Sequence, residues 1–259
     1  MKDYANGKIL VTTKETVTTV VINRPEVRNA LDNEAARGLG QALQNFDDDK
    51  EQLAAVLTGV GGAFCAGADL EEVADSPDYV AWAGDPEGPT HHTLSKPVIA
   101  AVEGHAVAGG LGIALWCDIR VVDDSAMFGV FCRRWGVPMS DGTTVRLPRL
   151  IGQSRALDML ITGRGVGADE AIQWGLATRK APLGETLTMA QGLAHQIAGF
   201  PQIALRSDRQ SAYEQSGLVL VEAIDREKQL SQAAKATEAQ SGAARFAAGE
   251  GRHGQFSKG

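Results

Sequence analysis

Glu103-Gly104-His105-Ala106-Val107-Ala108-Gly109-Gly110-Leu111-Gly112 follows the short apolar run Val98–Val102 and is built largely of small residues. A second stretch of the same kind lies earlier, Gly61-Gly62-Ala63-Phe64-Cys65-Ala66-Gly67-Ala68-Asp69-Leu70, after Leu53–Thr58. Both preceding runs read as buried strands, so strand, glycine-rich loop and helix occur twice, at Leu53–Glu72 and Val98–Cys117. This weak internal repeat predicts stacked ββα turns rather than a strictly alternating sheet. Gly109-Gly110 is expected to open a helix running to Cys117. The first N–H groups of a helix lack intrahelical partners and carry the positive end of its dipole. Small residues let a ligand approach such backbone closely. Two loops of this kind can each aim one N–H at a single oxygen, forming an oxyanion hole. The same glycines also serve tight turns and close packing, and spacing alone leaves both readings open.

Outward from these loops, Lys8–Thr13 and Thr16–Ile22 are rich in Val, Ile, Leu and Thr and read as a hairpin across Lys14-Glu15. Asn33–Phe46 carries Leu39, Leu43 and Phe46 at helical spacing, with Asp32 as N-cap. Ile119–Val122 reads as a further strand. Ser76–Pro89, with its prolines and acidic residues, reads as a mobile surface segment around a short helix. From Gln153 onward the pattern is mostly helical, broken at Pro182 and Pro201. The closing helices, about 201–248, look amphipathic, and Gly249–Gly259 is a polar tail. The expected organisation is a core over 1–200 and a helical region over 201–259.

The chain has 259 residues, 44% hydrophobic and 22% charged, which is ordinary globular composition and needs no disulfide or metal to build a core. Its net charge of −7 without a basic block argues against nucleic acid or an anionic membrane as main partner. No apolar run approaches the roughly 20 residues that span a bilayer. Met1–Asn6 lacks the apolar stretch of a secretory signal. Cys65, Cys117 and Cys132, odd in number and without CxxC spacing, read as reduced thiols of a cytoplasmic protein.

Several stretches together resemble the crotonase (enoyl-CoA hydratase/isomerase) superfamily. They are Ala63–Leu70, Lys96-Pro97-Val98-Ile99-Ala100-Ala101-Val102-Glu103-Gly104 and Cys117-Asp118-Ile119-Arg120. Asn23-Arg24-Pro25 to Asn29-Ala30-Leu31, Arg146–Gly152 and Leu160–Arg164 extend the likeness over about residues 8–250, in the family's order. The resemblance implies an α/β fold, a crotonase-like spiral of ββα turns with a helical C-terminal region that supports homotrimers or dimers of trimers. It implies an acyl-coenzyme A thioester as substrate, with no cofactor beyond the coenzyme A of that substrate and no metal. The family's oxyanion donors are backbone N–H groups, and they map onto Ala68 and Gly109; Cys65, Ala66, Gly67, Asp69, Leu70 and Gly110 flank them as substrate-binding positions, with Asp69 read first as holding its loop through backbone hydrogen bonds.

The resemblance also exposes a departure. The two glutamates of a typical hydratase in this family fall here on Gly112 and Cys132, so simple hydratase activity is not expected. General acid–base help is worth about 10²–10⁴ per positioned group. The replacement candidate is Asp141, in Pro138-Met139-Ser140-Asp141-Gly142-Thr143-Thr144, a neighbourhood where several branches of the superfamily place a carboxylate. The residue types alone equally allow Asp141 to cap the helix that leads to Arg146-Leu147, and both roles can hold.

Arg133 is a candidate helper, orienting Asp141 or a polar acyl group through charge-assisted hydrogen bonds; an ordinary surface ion pair, for Arg133 or Arg134, is the alternative. Cys132 reads as a buried structural thiol on the substrate side, and Trp135 as core or acyl-pocket wall. Arg28, beside the Pro25 turn, is a candidate contact for coenzyme A phosphates, which Arg252 or Lys258 of a neighbouring subunit would complete. His105 reads as a packed neutral imidazole and His91-His92 as a solvated loop. Gly59-Val60-Gly61-Gly62 lacks the Walker lysine and the Rossmann spacing, which excludes both nucleotide motifs.

The expected function is therefore enolate-forming chemistry on an acyl-CoA thioester. Isomerisation, hydration with an unusual base and thioester hydrolysis stay open. A noncatalytic coenzyme-A-binding or assembly protein of the same fold is the alternative from another class.

Overall fold

The computed structural model describes residues 1–75 and 88–251, so most of the proline-rich segment 76–89 and the tail from 252, with Arg252 and Lys258, lie outside the described residues. The chain divides into two compact units, Met1–His195 and Gln196–Gly259.

The first unit opens with β1 (Lys2–Tyr4), β2 (Ile9–Lys14) and β3 (Val17–Ile22), followed by α1 (Asn33–Asp48) and β4 (Ala54–Gly59). Next come α2 (Leu70–Asp75), β5 (Val98–Val102), β6 (His105–Val107), α3 (Gly109–Trp116), β7 (Ile119–Val122) and β8 (Met127–Gly129). The unit then runs through α4 (Thr143–Ile151), α5 (Gln153–Thr162), β9 (Gly165–Gly167), α6 (Ala168–Trp174), β10 (Arg179–Lys180) and α7 (Thr186–Ala198), whose last turn crosses into the second unit.

One seven-stranded sheet has the order β1-β2-β3-β4-β5-β7-β10. Its first three strands are antiparallel, and β3, β4, β5, β7 and β10 run parallel. β4 and β5 read as unbroken apolar text because both faces are covered: Ala54–Leu57 and Val98–Val102 are buried throughout. A three-stranded sheet, β6-β8-β9, accounts for the middle of the second small-residue stretch, which is a short strand rather than loop throughout. The two strands after Gln153, β9 and β10, are two or three residues long, too short to interrupt a helical pattern in the sequence.

Asp32 caps α1, its carboxylate accepting the Ala35 N–H at 2.7 Å. Burial opposes its ionisation, but hydrogen bonds from Lys8 and Ala35 and the charge of Arg24 outweigh burial and hold the Asp32 carboxyl below its ordinary value. The apolar face of α1, including Leu39, Leu43 and Phe46, packs into a core with Ile9, Ile22, Leu57 and Phe64. Two buried cations close helix ends: Lys96 donates to the Phe46 and Asp49 carbonyls beyond α1, and Arg120 to the Ala114 and Cys117 carbonyls of α3.

In the second unit, α8 (Gln202–Glu214), α9 (Leu220–Ala234), a π-helical turn at Lys235–Ala239 and α10 (Gln240–Ala247) follow one another. Glu238 accepts the Ile203 and Ala204 N–H groups, serving the open N-terminus of α8 in place of a local cap. Among the described residues no helix is long and apolar enough to cross a membrane.

Candidate active site

The first small-residue loop lies beside β6 as an extra strand. His105 O accepts the Phe64 and Cys65 N–H groups at 3.1 and 2.9 Å, and Cys65 O accepts the Val107 N–H at 3.0 Å. Two residues on, the chain pairs with Leu31: Gly67 O accepts the Leu31 N–H at 2.7 Å and Leu31 O the Asp69 N–H at 2.9 Å. Extended backbone alternates its polar groups, so Ala68 N–H is on the side away from Leu31.

The second donor sits at the start of α3. Ala108 precedes it at φ 50°, ψ −125°, a region that costs an alanine about 1–3 kcal/mol. The turn is held because Ala108 N–H donates to Gly129 O at 2.8 Å and Ala108 O accepts the Leu111 and Gly112 N–H groups. Gly109 is thereby the first helical residue, with no intrahelical acceptor for its N–H. Among the described residues neither Ala68 N–H nor Gly109 N–H is spent on a backbone partner. The two loops touch: a Cβ placed on Gly67 would fall 2.7 Å from Gly109 N and 2.9 Å from Ala108 Cβ.

Ala66, Ala68, Ala108 and Gly109 line one cavity of about 550 Å³, together with Cys132, Trp135, Val137, Met139 and Asp141. Three lining residues are acidic. Glu71 is exposed at the start of α2, and Asp69 is ion-paired to Arg24 at 3.0 Å. Asp141 is 3% exposed. Its Oδ1 accepts the Thr143 N–H at 2.9 Å, which secures the entry to α4, while its Oδ2 is buried with no partner. Burial pushes the Asp141 carboxyl above its ordinary value, against the hydrogen bond from the Thr143 N–H. Arg146 fixes the same turn by donating to the Asp141 backbone carbonyl at 2.9 Å and to Thr90 O at 3.0 Å. Gly142, not Asp141, is the N-cap of α4, so Asp141 closes a local turn through Oδ1 and leaves Oδ2 without a partner.

The Asp141 carboxyl fills the space beside α3. A Cβ on Gly112 would lie 2.1 Å from Asp141 Oδ2 and 2.3 Å from its Cγ. Gly112 follows Gly109 by three residues, on the same helix face and about 4.5 Å further along the axis. A single buried carboxyl therefore stands within one turn of the free Gly109 amide.

A sequence model of the enoyl-CoA hydratase/isomerase family matches residues 12–258. The chain belongs to the enoyl-CoA hydratase/isomerase family. An enoyl-CoA hydratase, EchA19, of Mycobacterium tuberculosis is 39% identical over 75% of this chain and 76% of its own length. A carnitinyl-CoA dehydratase of Proteus mirabilis is 36% identical over 75% and 76%. Among solved structures, the enoyl-CoA hydratase EchA1 of Mycobacterium marinum superposes with a TM-score of 0.87 at 30% identity, covering 93% of this chain and 96% of that one. The crotonase fold is therefore that of this family member.

Within that fold, several flanking residues sit differently from the sequence expectation. Cys65 is fully buried and faces away from the cavity, its Sγ accepting the Gly67 N–H at 3.4 Å. Burial pushes its thiol up to about 12. Gly110 packs α3 against the first loop instead of facing ligand; a Cβ there would meet the Cys65 carbonyl oxygen at 2.0 Å. Gly67 is likewise buried between the loops. The alternation of the extended segment explains this: Ala66 and Ala68 turn to the cavity, Cys65 and Gly67 to the interior.

Arg133 does not reach Asp141. Its Nε donates to Leu160 O at 3.2 Å on α5, and the neighbouring Arg134 stacks on the Phe131 ring. Arg146, not Arg133, supports the Asp141 turn. Trp135 is 71% exposed and lines the cavity mouth, so it is wall rather than core. Cys132 is buried against Met139 Sδ at 3.1 Å, its thiol pushed up by burial and by the nearby Asp141 charge. Leu70 lines the cavity at 41% exposure. Arg28 is exposed in a left-handed turn, outside the cavity lining, its carbonyl accepting the Ala66 N–H at 3.1 Å. His105 packs edge-on against Phe131.

The sequence reading missed Arg24 as a site-supporting residue and Thr143 and Arg146 as the holders of Asp141. Arg24 stands in the quoted Asn-Arg-Pro stretch, but its partners lie up to 45 residues away.

Proposed function

We propose that this protein shifts the double bond of an acyl-CoA thioester, using Asp141 as its one acid–base group. The carrying observation is the buried, unpartnered Asp141 Oδ2 in the space beside Gly112, one helical turn from the Gly109 amide. The thioester carbonyl oxygen accepts hydrogen bonds from Ala68 N–H and Gly109 N–H. Asp141, as carboxylate, removes a proton from C2 of a 3-enoyl thioester, and the electron pair moves onto the carbonyl oxygen as a dienolate. The same carboxyl returns the proton to C4, and the double bond ends between C2 and C3. One carboxyl suffices because the proton it takes is the proton it gives back.

Each amide of such a pair is worth about 10²–10³ in rate. The elevated Asp141 carboxyl suits the role, since a base nearer the pH of the medium is better matched to a weakly acidic C–H. Gly112 and Cys132, at the positions where the family resemblance puts two glutamates, themselves supply no carboxyl to hold a water. The relatives named as hydratases and a dehydratase favour a second reading, hydration, in which Asp141 alone would activate water.

Val27, Val73, Val137 and Met139 on the cavity wall support an apolar acyl group. Arg28, exposed beside the Pro25 turn, is the phosphate contact for coenzyme A in this reading, and the chemistry requires no further cofactor. Exposed apolar residues on α9 and before it, Val219, Leu220 and Val221 at 61–77% exposure, support association of copies through the second unit. Three buried free thiols support a reducing, cytoplasmic setting.

The test offers matched 3-enoyl-CoA and 2-enoyl-CoA thioesters and follows the conjugated double bond by ultraviolet absorbance, with free thiol release monitored in parallel. Appearance of the 2-enoyl chromophore from the 3-enoyl substrate is expected. Loss of the chromophore from the 2-enoyl substrate would select hydration, and thiol release would select hydrolysis. Binding without turnover across both would select the noncatalytic reading.

A further inference from the structure

Arg24 is 12% exposed in its side chain, and both arms of its guanidinium are engaged at the first small-residue loop. Nη1 donates to Ala30 O at 2.5 Å. Nη2 reaches Asp69 Oδ2 at 3.0 Å and Asp32 Oδ2 at 3.1 Å. Ala30 immediately precedes Leu31, the residue that pairs with the loop on both sides of Ala68. Asp69 immediately follows Ala68 and lines the same cavity. Arg24 is itself fixed by its own N–H, which donates to Asn29 Oδ1 at 2.8 Å, and Asn29 Nδ2 donates to the Val60 and Ala63 carbonyls under the loop.

This placement raises an electrostatic problem. A carboxylate one residue from an amide that is to stabilise an oxyanion opposes the charge that develops there. An unpaired Asp69 would therefore work against catalysis. The guanidinium beside it offsets that charge and ties the strand of Leu31 to the turn after Ala68.

We propose that Arg24 is a positioning residue for the Ala68 amide, acting by cancelling the Asp69 charge at the oxyanion side of the cavity. The inference rests on the reading of Ala68 and Gly109 as oxyanion donors, and it goes further in saying why an acidic residue is tolerated beside them. Asp69 is then the ion-pair partner of Arg24, not a substrate contact.

Acetoacetyl-CoA tests this without requiring turnover. Its β-keto thioester forms an enolate with its own ultraviolet band, so the enolate-to-keto ratio of the bound ligand reports the charge stabilisation at the carbonyl oxygen. The ratio is measured at one pH, with saturating protein, for wild type, Arg24→Gln, Asp69→Asn and the double variant, each first checked by thermal melting. Wild type is expected to raise the ratio above that of free ligand. Arg24→Gln lowers it by about tenfold, the scale of one uncancelled charge at close range. Asp69→Asn restores it in the Arg24→Gln background, which loss of a purely structural latch would not allow.

An Arg24→Gln ratio equal to wild type, or a double variant as poor as Arg24→Gln, would overturn the inference. If Arg24→Gln does not fold, Asp69→Asn alone decides: a ratio at or above wild type supports the proposal, and a lower one refutes it. A wild type that leaves the ratio at its free value would instead overturn the oxyanion reading itself, and with it this extension.

Discussion

The carboxyl of Asp141 occupies the volume in which a side chain at Gly112 would begin, with Oδ2 2.1 Å from the place of its Cβ. The two residues are 29 positions apart by their numbers and belong to different elements, α3 and the turn before α4. They are mutually dependent: only a residue without a side chain at 112 admits the acid, and the acid accounts for the space.

Gly112→Ala should therefore disable the site from a distance of one carbon atom. The added methyl must displace Asp141 or push α3 from its buried seat, an overpacking cost of about 1–3 kcal/mol. Turnover is expected to fall by about 10² or more, the share of a positioned acid–base group. Steady-state rates and a denaturant melt of the same variant separate the two effects.

The pH dependence follows from the direction of the Asp141 shift. In the proposed role Asp141 acts as a base, so activity is expected to rise with pH through its elevated value, with the acid limb above the ~3.9 of an unperturbed aspartate. The same shift affects stability with the opposite slope. Between the unfolded and the folded value the native state holds one proton more, so stability from this group declines as pH rises through that window and is level above it. Asp141→Asn should remove both features, read as the difference between wild-type and variant melts from pH 3 upward.

The cysteines should be poor nucleophiles. Burial holds Cys65 at about 12 and raises Cys132 as well, so alkylation at pH 8 is expected to be slow in the native protein and complete on unfolding. Cys132, which lines the cavity, should be further protected by a saturated acyl-CoA, whereas Cys65 and Cys117 should be indifferent to ligand. Mass spectrometry of a time course resolves the three sites.

Much of the scaffold was legible because its signals are local. Apolar runs at Ala54–Leu57 and Val98–Val102, the Asp32 cap and the Gly109-Gly110 helix start each depend on neighbours in sequence. The short strands β6, β8 and β9 carry too few residues for any periodicity and exist through pairing with one another. In the loop, the period of two that turns Ala68 to the cavity and Cys65 to the interior was present in the text, but small residues give it no hydrophobic contrast. The site's supports were hidden for a different reason. Arg24 with Asp69, and Asp141 with Gly112, are long-range meetings set by how the turns stack. Adjacency in sequence suggested Arg133 for Asp141; the backbone sends that side chain to Leu160 instead.

The central claim is that Asp141 moves a proton at the carbon next to a thioester held by the Ala68 and Gly109 amides. Exchange of the C2 hydrogens of a saturated acyl-CoA with deuterated solvent, followed by NMR, tests this with no assumption about the net reaction. Wild type should exchange them, and Asp141→Asn, binding the same thioester, should do so about 10² or more times slower. Exchange by Asp141→Asn at the wild-type rate would contradict the account.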